Sequence, residues 1–297
     1  LKSIWLIFVS ASGLLSGQSE WLTYTSAHFK IFYTQPDQRL AQESSAIFEA
    51  EYANLSGQLD LKFIAQPSVF LAPTEHVFNE ITGHVIPHWG EGVADPARNL
   101  IVLKPPDLVT RRDRFLKLVR HELTHVLVGQ AGAYPHTIPR WFNEGIAIYF
   151  SYDEEFAHGA AISKALLSDA ILLLDEIDDV LQFHTEQARL AYEESFSAIL
   201  YLEKLAGFEG IVQIIHALQN GQSFNQAFRE ATGLDVVDFE MEWLKNLEKK
   251  YRWRFLYDFE TYLWIIILLL FVLVFVGIKL RNRQVMKRWE QEERLAR

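Results

Sequence analysis

Hydrophobic and polar positions change their rhythm along the chain. His28-Phe-Lys-Ile-Phe-Tyr33 alternates with period two, as a strand with one buried face does. Arg39 to Leu59 then takes up a helical period. Ser68 to Leu71 and Asn99 to Lys104 read as two more short strands, the second closed by Pro105-Pro106. Thr110 followed by Asp113 predicts a helix N-terminus, with Gly129 as its stop, and Pro139 opens a further helix to about Tyr149. From Tyr192 onward the pattern is helical and divided by Gly207, Gly221 and Gly233. Ser223 with Gln226 forms a capping box, and Asp235 caps a last helix to about Tyr251. Strands come early and helices late, which predicts an α+β fold: a small sheet packed with helices, then a helical subdomain at about 190–251.

Both ends differ from this body. Tyr262 to Ile278 is a run of 17 residues without a charge, about 25 Å long as a helix and so able to cross a bilayer. Tyr257, Tyr262 and Trp264 form an aromatic belt on its upstream side. Residues 279–297 hold seven Lys or Arg against three acids, so the positive-inside rule puts this basic tail in the cytoplasm. Lys2, the apolar run Ile4 to Val9 and the small residues up to Gly17 have the layout of a signal peptide over 1–17. The two ends agree on an extracytoplasmic domain at 18–254, a transmembrane helix at 262–278 and a cytoplasmic tail at 279–297 in the cell membrane.

Composition narrows the function. Of 297 residues, 49% are apolar and 13% aromatic, enough to build a sizeable core. The net charge of −10 argues against a nucleic-acid partner, since phosphate binding needs an excess of cations. The absence of cysteine excludes disulfides, thiolate metal sites and a cysteine nucleophile.

The chemistry is concentrated in His121-Glu122-Leu123-Thr124-His125. Residues four apart on a helix lie ~40° apart around its axis, so both imidazoles leave one face. That spacing lets two ring nitrogens reach one zinc ion, with Glu122 placed to take a proton from water. A catalytic zinc needs a third protein ligand. Glu144, 19 positions after His125 in the second helix, is the candidate, and His136 on the connecting loop is the rival. The extended motif with a third histidine six residues on is absent, because Ala131 stands there. His84 and His88 read as polar surface, and Asp175, Glu176, Asp178 and Asp179 as a solvated loop or helix start.

His-Glu-x-x-His, eighteen intervening residues and Asn143-Glu144-Gly145 resemble the gluzincin class of zinc metallopeptidases, and more narrowly the bacterial peptidase MA-like family. Gly92 to Leu103, Ala191 to Phe196 and Gly221 to Trp243 are similar to that family as well. The resemblance implies one Zn2+ held by His121, His125 and Glu144, Glu122 as general base and later acid, and a peptide or protein substrate. It also implies an edge strand for that substrate, expected at Asn99 to Lys104, and an oxyanion-stabilising side chain from the helical subdomain, expected to be Tyr192 at a helix start. Two features of related enzymes are missing. The acid four residues after the third ligand is replaced by Ile148, and no Gly-x-Met-Glu-Asn loop is present, which favours an endopeptidase. Two other readings stand beside the membrane-anchored peptidase: a non-catalytic extracytoplasmic binding or assembly protein with a structural metal site, and a zinc hydrolase of non-peptide amides.

Overall fold

The computed structural model describes residues 20–84, 86–87, 90–104, 112–131, 138–252 and 255–295. The signal-peptide segment, the Thr110 cap, His88 and His136 lie outside the described residues.

Five short strands form one sheet: β1 (Leu22–Thr25), β2 (Lys30–Tyr33), β3 (Ser68–Leu71), β4 (Gly92–Asp95) and β5 (Leu100–Leu103). Their order is β1-β2-β3-β5-β4, with the three central strands parallel and both outer strands antiparallel. The alternation in β2 works as the sequence predicts: Ile31 and Tyr33 are buried, whereas Lys30 is exposed. Phe32 turns to the other face and stacks on Phe70, with centroids 4.4 Å apart.

Helix α1 (Gln38–Leu59) buries Phe48, Tyr52, Leu55 and Leu59 in one core with Ile31, Val69 and Ile101 of the sheet. It ends at Asp60 in the left-handed region, φ 51°. Helix α2 (Glu75–Thr82) covers the opposite face with Phe78 against Val102. Thr74 caps α2 by accepting from the Val77 N–H, and Gly83 ends it at φ 67°. α2, β1 and β4 are not among the elements read from the sequence; each is short, and β4 reads only Gly-Val-Ala-Asp.

Helix α3 (Arg112–Ala131) carries the His-Glu-x-x-His segment and buries Phe115, Val119, Leu123, Val126 and Leu127. It runs through Gly129, so the expected stop there is corrected. A Cβ at this glycine would stand 2.4 Å from Pro96, and its smallness serves the packing of α3 on the β4–β5 turn. Helix α4 (Arg140–Ser151) begins after Pro139 as expected, and α5 (Ala160–Ser168) follows it. Helix α6 (Thr185–Gln219) is broken at Gly207, whose φ of 73° and ψ of 172° confirm the division read from the sequence. Helices α7 (Phe224–Thr232) and α8 (Val236–Tyr251) have the Ser223 and Asp235 caps that the sequence predicts. Buried Trp141 of α4 stacks on Phe239 of α8 at 5.7 Å and meets Phe224 and Phe228 of α7 edge-on, locking α4 to α7 and α8.

Helix α9 (Phe255–Leu295) contains the apolar run. Its stretch Tyr262–Glu292 is long and apolar enough to cross a membrane, and its most apolar window has no residue buried in the protein. A core helix would hide one face, so the fold is α+β with one C-terminal apolar span.

Candidate metal centre

Three contacts anchor α3 before its chemistry begins. Arg114 forms a two-point ion pair with Glu91, just ahead of β4. Lys117 donates to Asp153 at 3.1 Å. Arg120 donates to both oxygens of buried Glu51 on α1, at 2.6 and 3.1 Å. Helix α4 is anchored by proximity: a Cβ on Gly145 would stand 2.4 Å from the Ser195 carbonyl oxygen of α6, so only glycine permits this approach.

These anchors bring His121, His125 and Glu144 together. The two Nε2 atoms are 3.1 Å apart, and Glu144 Oε2 is 3.5 Å from each. One donor atom from each residue lies within 4.8 Å of the others. A tetrahedral ion with ~2.1 Å bonds has donors ~3.4 Å apart, so the triangle matches a zinc-sized cation. Two nitrogens and a carboxylate, largely buried, are also the ligand types such an ion takes. The residues fit the group.

Electrostatics follow the same geometry. Burial alone would raise the Glu144 carboxyl, but His125, His121 and Arg140 outweigh it and hold the group well below the usual carboxylate range. For His125 burial opposes the charge, and the Glu144 carboxylate prevails and raises it. Glu122 is 4% exposed, and burial pushes its carboxyl up against the pull of the two histidines. Its Oε1 lies beside Gly92 of β4.

Tyr192 is about two turns inside α6 rather than at its start. Its ring packs near Phe156, and burial together with the nearby Glu144 charge raises its hydroxyl well above the ordinary value. It therefore lies within electrostatic reach of Glu144 and Glu122. The expected substrate edge moves: β5 pairs with β3 on one side and β4 on the other, so the sheet's terminal strand near α3 is β4. His84 is not a member of the metal-ligand group and sits in a turn at φ 58°.

Sequence reading missed two contributors. Arg140 Nη1 donates to Glu144 Oε1 at 3.2 Å, one turn earlier on the same helix, and the i, i+4 spacing was the available signal. Asp178, read as part of a solvated acidic run, accepts from the Arg140 N–H at 2.9 Å and caps α4.

A histidine pair on one helix and a glutamate from the next, beside a small sheet, form the arrangement expected of a gluzincin-type peptidase. The family model described as the peptidase MA superfamily matches residues 79–249, more than half of the chain, and the chain belongs to that superfamily. It is a peptidase-type hydrolase with a group able to hold a metal. No curated protein sequence matches the chain.

Proposed function

We propose that the chain is a membrane-anchored zinc endopeptidase whose catalytic domain, 18–254, stands outside the cell membrane. The observation that carries this is the convergence of His121, His125 and Glu144 with buried Glu122 alongside. His121, His125 and Glu144 would hold one Zn2+, whose chemistry when bound is Lewis acidity toward a peptide carbonyl and water. Glu122 takes the proton of the attacking water and returns it to the leaving amine. β4 presents the backbone edge to an extended substrate, and the Tyr192 hydroxyl donates toward the developing oxyanion. The exposed apolar surface of α9 supports anchoring, and the basic residues after it support a cytoplasmic tail.

Zinc content and cleavage of an unstructured protein by the full chain test the reading, with Glu122→Gln, Glu144→Ala and His136→Ala alongside. About one zinc per wild-type chain is expected, kept in Glu122→Gln and His136→Ala and lost in Glu144→Ala. Hydrolysis by Glu122→Gln is expected to fall about 10²–10⁴-fold. A wild type that binds zinc but cleaves no peptide, with Glu122→Gln fully functional in cells, would leave a binding protein. Topology is tested by protease added to intact cells, which should digest the body and spare a tag on the tail.

A further inference from the structure

We infer that Arg140 is the positioning residue of the metal site: it occupies one oxygen of Glu144 so that the other alone faces the two histidines. This rests on the metallopeptidase reading and deepens it by naming the residue that orients the third ligand of that site.

A carboxylate can bind a cation through one oxygen or two, and the choice sets how many positions remain for water and substrate. In this site the two oxygens are already divided. Oε2 stands 3.5 Å from each imidazole Nε2, while Oε1 accepts from Arg140 Nη1 at 3.2 Å. The guanidinium reaches in from the rim, its side chain a third exposed against 6% for that of Glu144. An exposed i, i+4 pair would contribute little and position nothing. This pair differs because its acceptor is buried among the metal donors.

The arginine is itself held in place. Asp178, in the 3-10 helix Glu176–Gln182, accepts from its backbone N–H at 2.9 Å. Pro139 fixes the chain before it, and fully buried Trp141 pins the residue after it. Backbone and side chain are thus both directed, so Glu144 is presented in one orientation. Arginine suits the task because its charge is permanent and its planar donors have fixed direction.

The test uses full-length protein stripped of metal, with Arg140→Met, Arg140→Gln and Arg140→Lys. Affinity for Zn2+ is read by chelator competition and coordination by the visible absorption of the Co2+-loaded protein. Loss of an outer-shell partner typically weakens metal binding ~10–100-fold, and that loss is expected for Met and Gln, with partial recovery in Lys. The cobalt absorption of Met and Gln is expected to weaken, as it does when a freed second oxygen raises the coordination number. Metal-free melting should change little in all three. Gln is polar and close to arginine in length, so it carries the test if Met does not fold. Wild-type affinity and cobalt spectrum in either neutral variant would overturn the proposal while Glu144→Ala still loses metal. A wild type that binds no metal would instead overturn the metallopeptidase reading beneath it.

Discussion

Oε1 of Glu122 lies 2.8 Å from the point where a Cβ on Gly92 would stand. The terminal strand of the sheet and the proposed general base therefore meet at a glycine, without room for one methyl group. Leu103 Cδ2 and Leu118 Cδ1, at 2.9 and 3.1 Å from the same point, close the remaining directions. Gly92→Ala should displace the Glu122 carboxylate or push β4 outward, while the histidines keep their places. Misplacing a reacting group by ~1 Å costs on the order of 10²-fold, so at least a ten-fold loss of peptide hydrolysis is expected with zinc stoichiometry unchanged. Turnover at the wild-type rate would mean that the strand yields freely.

Gly145 gives the Asn-Glu-Gly segment its physical reason. A Cβ there would meet the Ser195 carbonyl oxygen at 2.4 Å and Ile199 Cγ1 at 2.6 Å, and the carbonyl belongs to the backbone of α6. Overpacking costs about 1–3 kcal/mol, partly offset by the ~1 kcal/mol that alanine gains over glycine in a helix. Gly145→Ala should therefore lower metal-free stability by up to about 2 kcal/mol in denaturant unfolding. It should also weaken zinc binding, because Glu144 is carried on the displaced turn.

The clustering of His121, His125 and Glu144 was legible because its spacing is helical. His121 and His125 must share a face of any helix, and the Pro139 start fixes Glu144 one turn into the next. Gly207, Ser223, Gly233 and Asp235 mark helix ends through local backbone chemistry, and the structure has each of those ends. Gly129 misled because a glycine late in a helix serves equally as a stop or as a gap for a neighbour, and only Pro96, far away in sequence, decides between them. The sheet order was illegible for the same reason. Val93 and Val102 pair across a turn, but whether β5 or β4 ends the sheet depends on β3 taking the other side. The acidic run at 175–179 looked solvated since nothing in its pattern names Arg140 as the partner of Asp178.

Arg120 and Glu51 tie the metal helix to α1 through two hydrogen bonds, with the side chain of Glu51 only 9% exposed. Arg120 directly precedes His121, so this pair sets the height of the site against the sheet. Removing one partner of a buried pair costs about 3–5 kcal/mol, and the partial exposure of Arg120 lets water recover some of that. Glu51→Ala should destabilise the metal-free protein by about 2–3 kcal/mol in denaturant unfolding. Zinc should restore part of the loss, since a ligand that binds only the folded state stabilises it by mass action. A loss below about 0.5 kcal/mol would class the pair with ordinary surface ion pairs.

Glu194 of α6 is fully buried; Oε1 accepts from the Leu172 N–H at 3.2 Å, and Oε2 is enclosed without a hydrogen-bond partner among the described residues. Burial, with the neighbouring Glu176 and Glu193 charges, pushes its carboxyl up to about 9. Between the ordinary glutamate value and about 9, the folded chain keeps a proton that the unfolded chain releases. The unfolded state then binds fewer protons, so stability falls as pH rises through this window. Glutamine has nearly the shape of the protonated acid and does not titrate. Glu194→Gln should therefore flatten the decline between pH 5 and 9 and be at least as stable as wild type at pH 8, by denaturant unfolding of the metal-free protein. Glu193 and Glu240 are raised as well and add slope of the same sign in both proteins, so the difference between the two curves is what reports on Glu194. Parallel curves would show that the buried carboxyl is ionised in the folded state and that its second oxygen has found a partner.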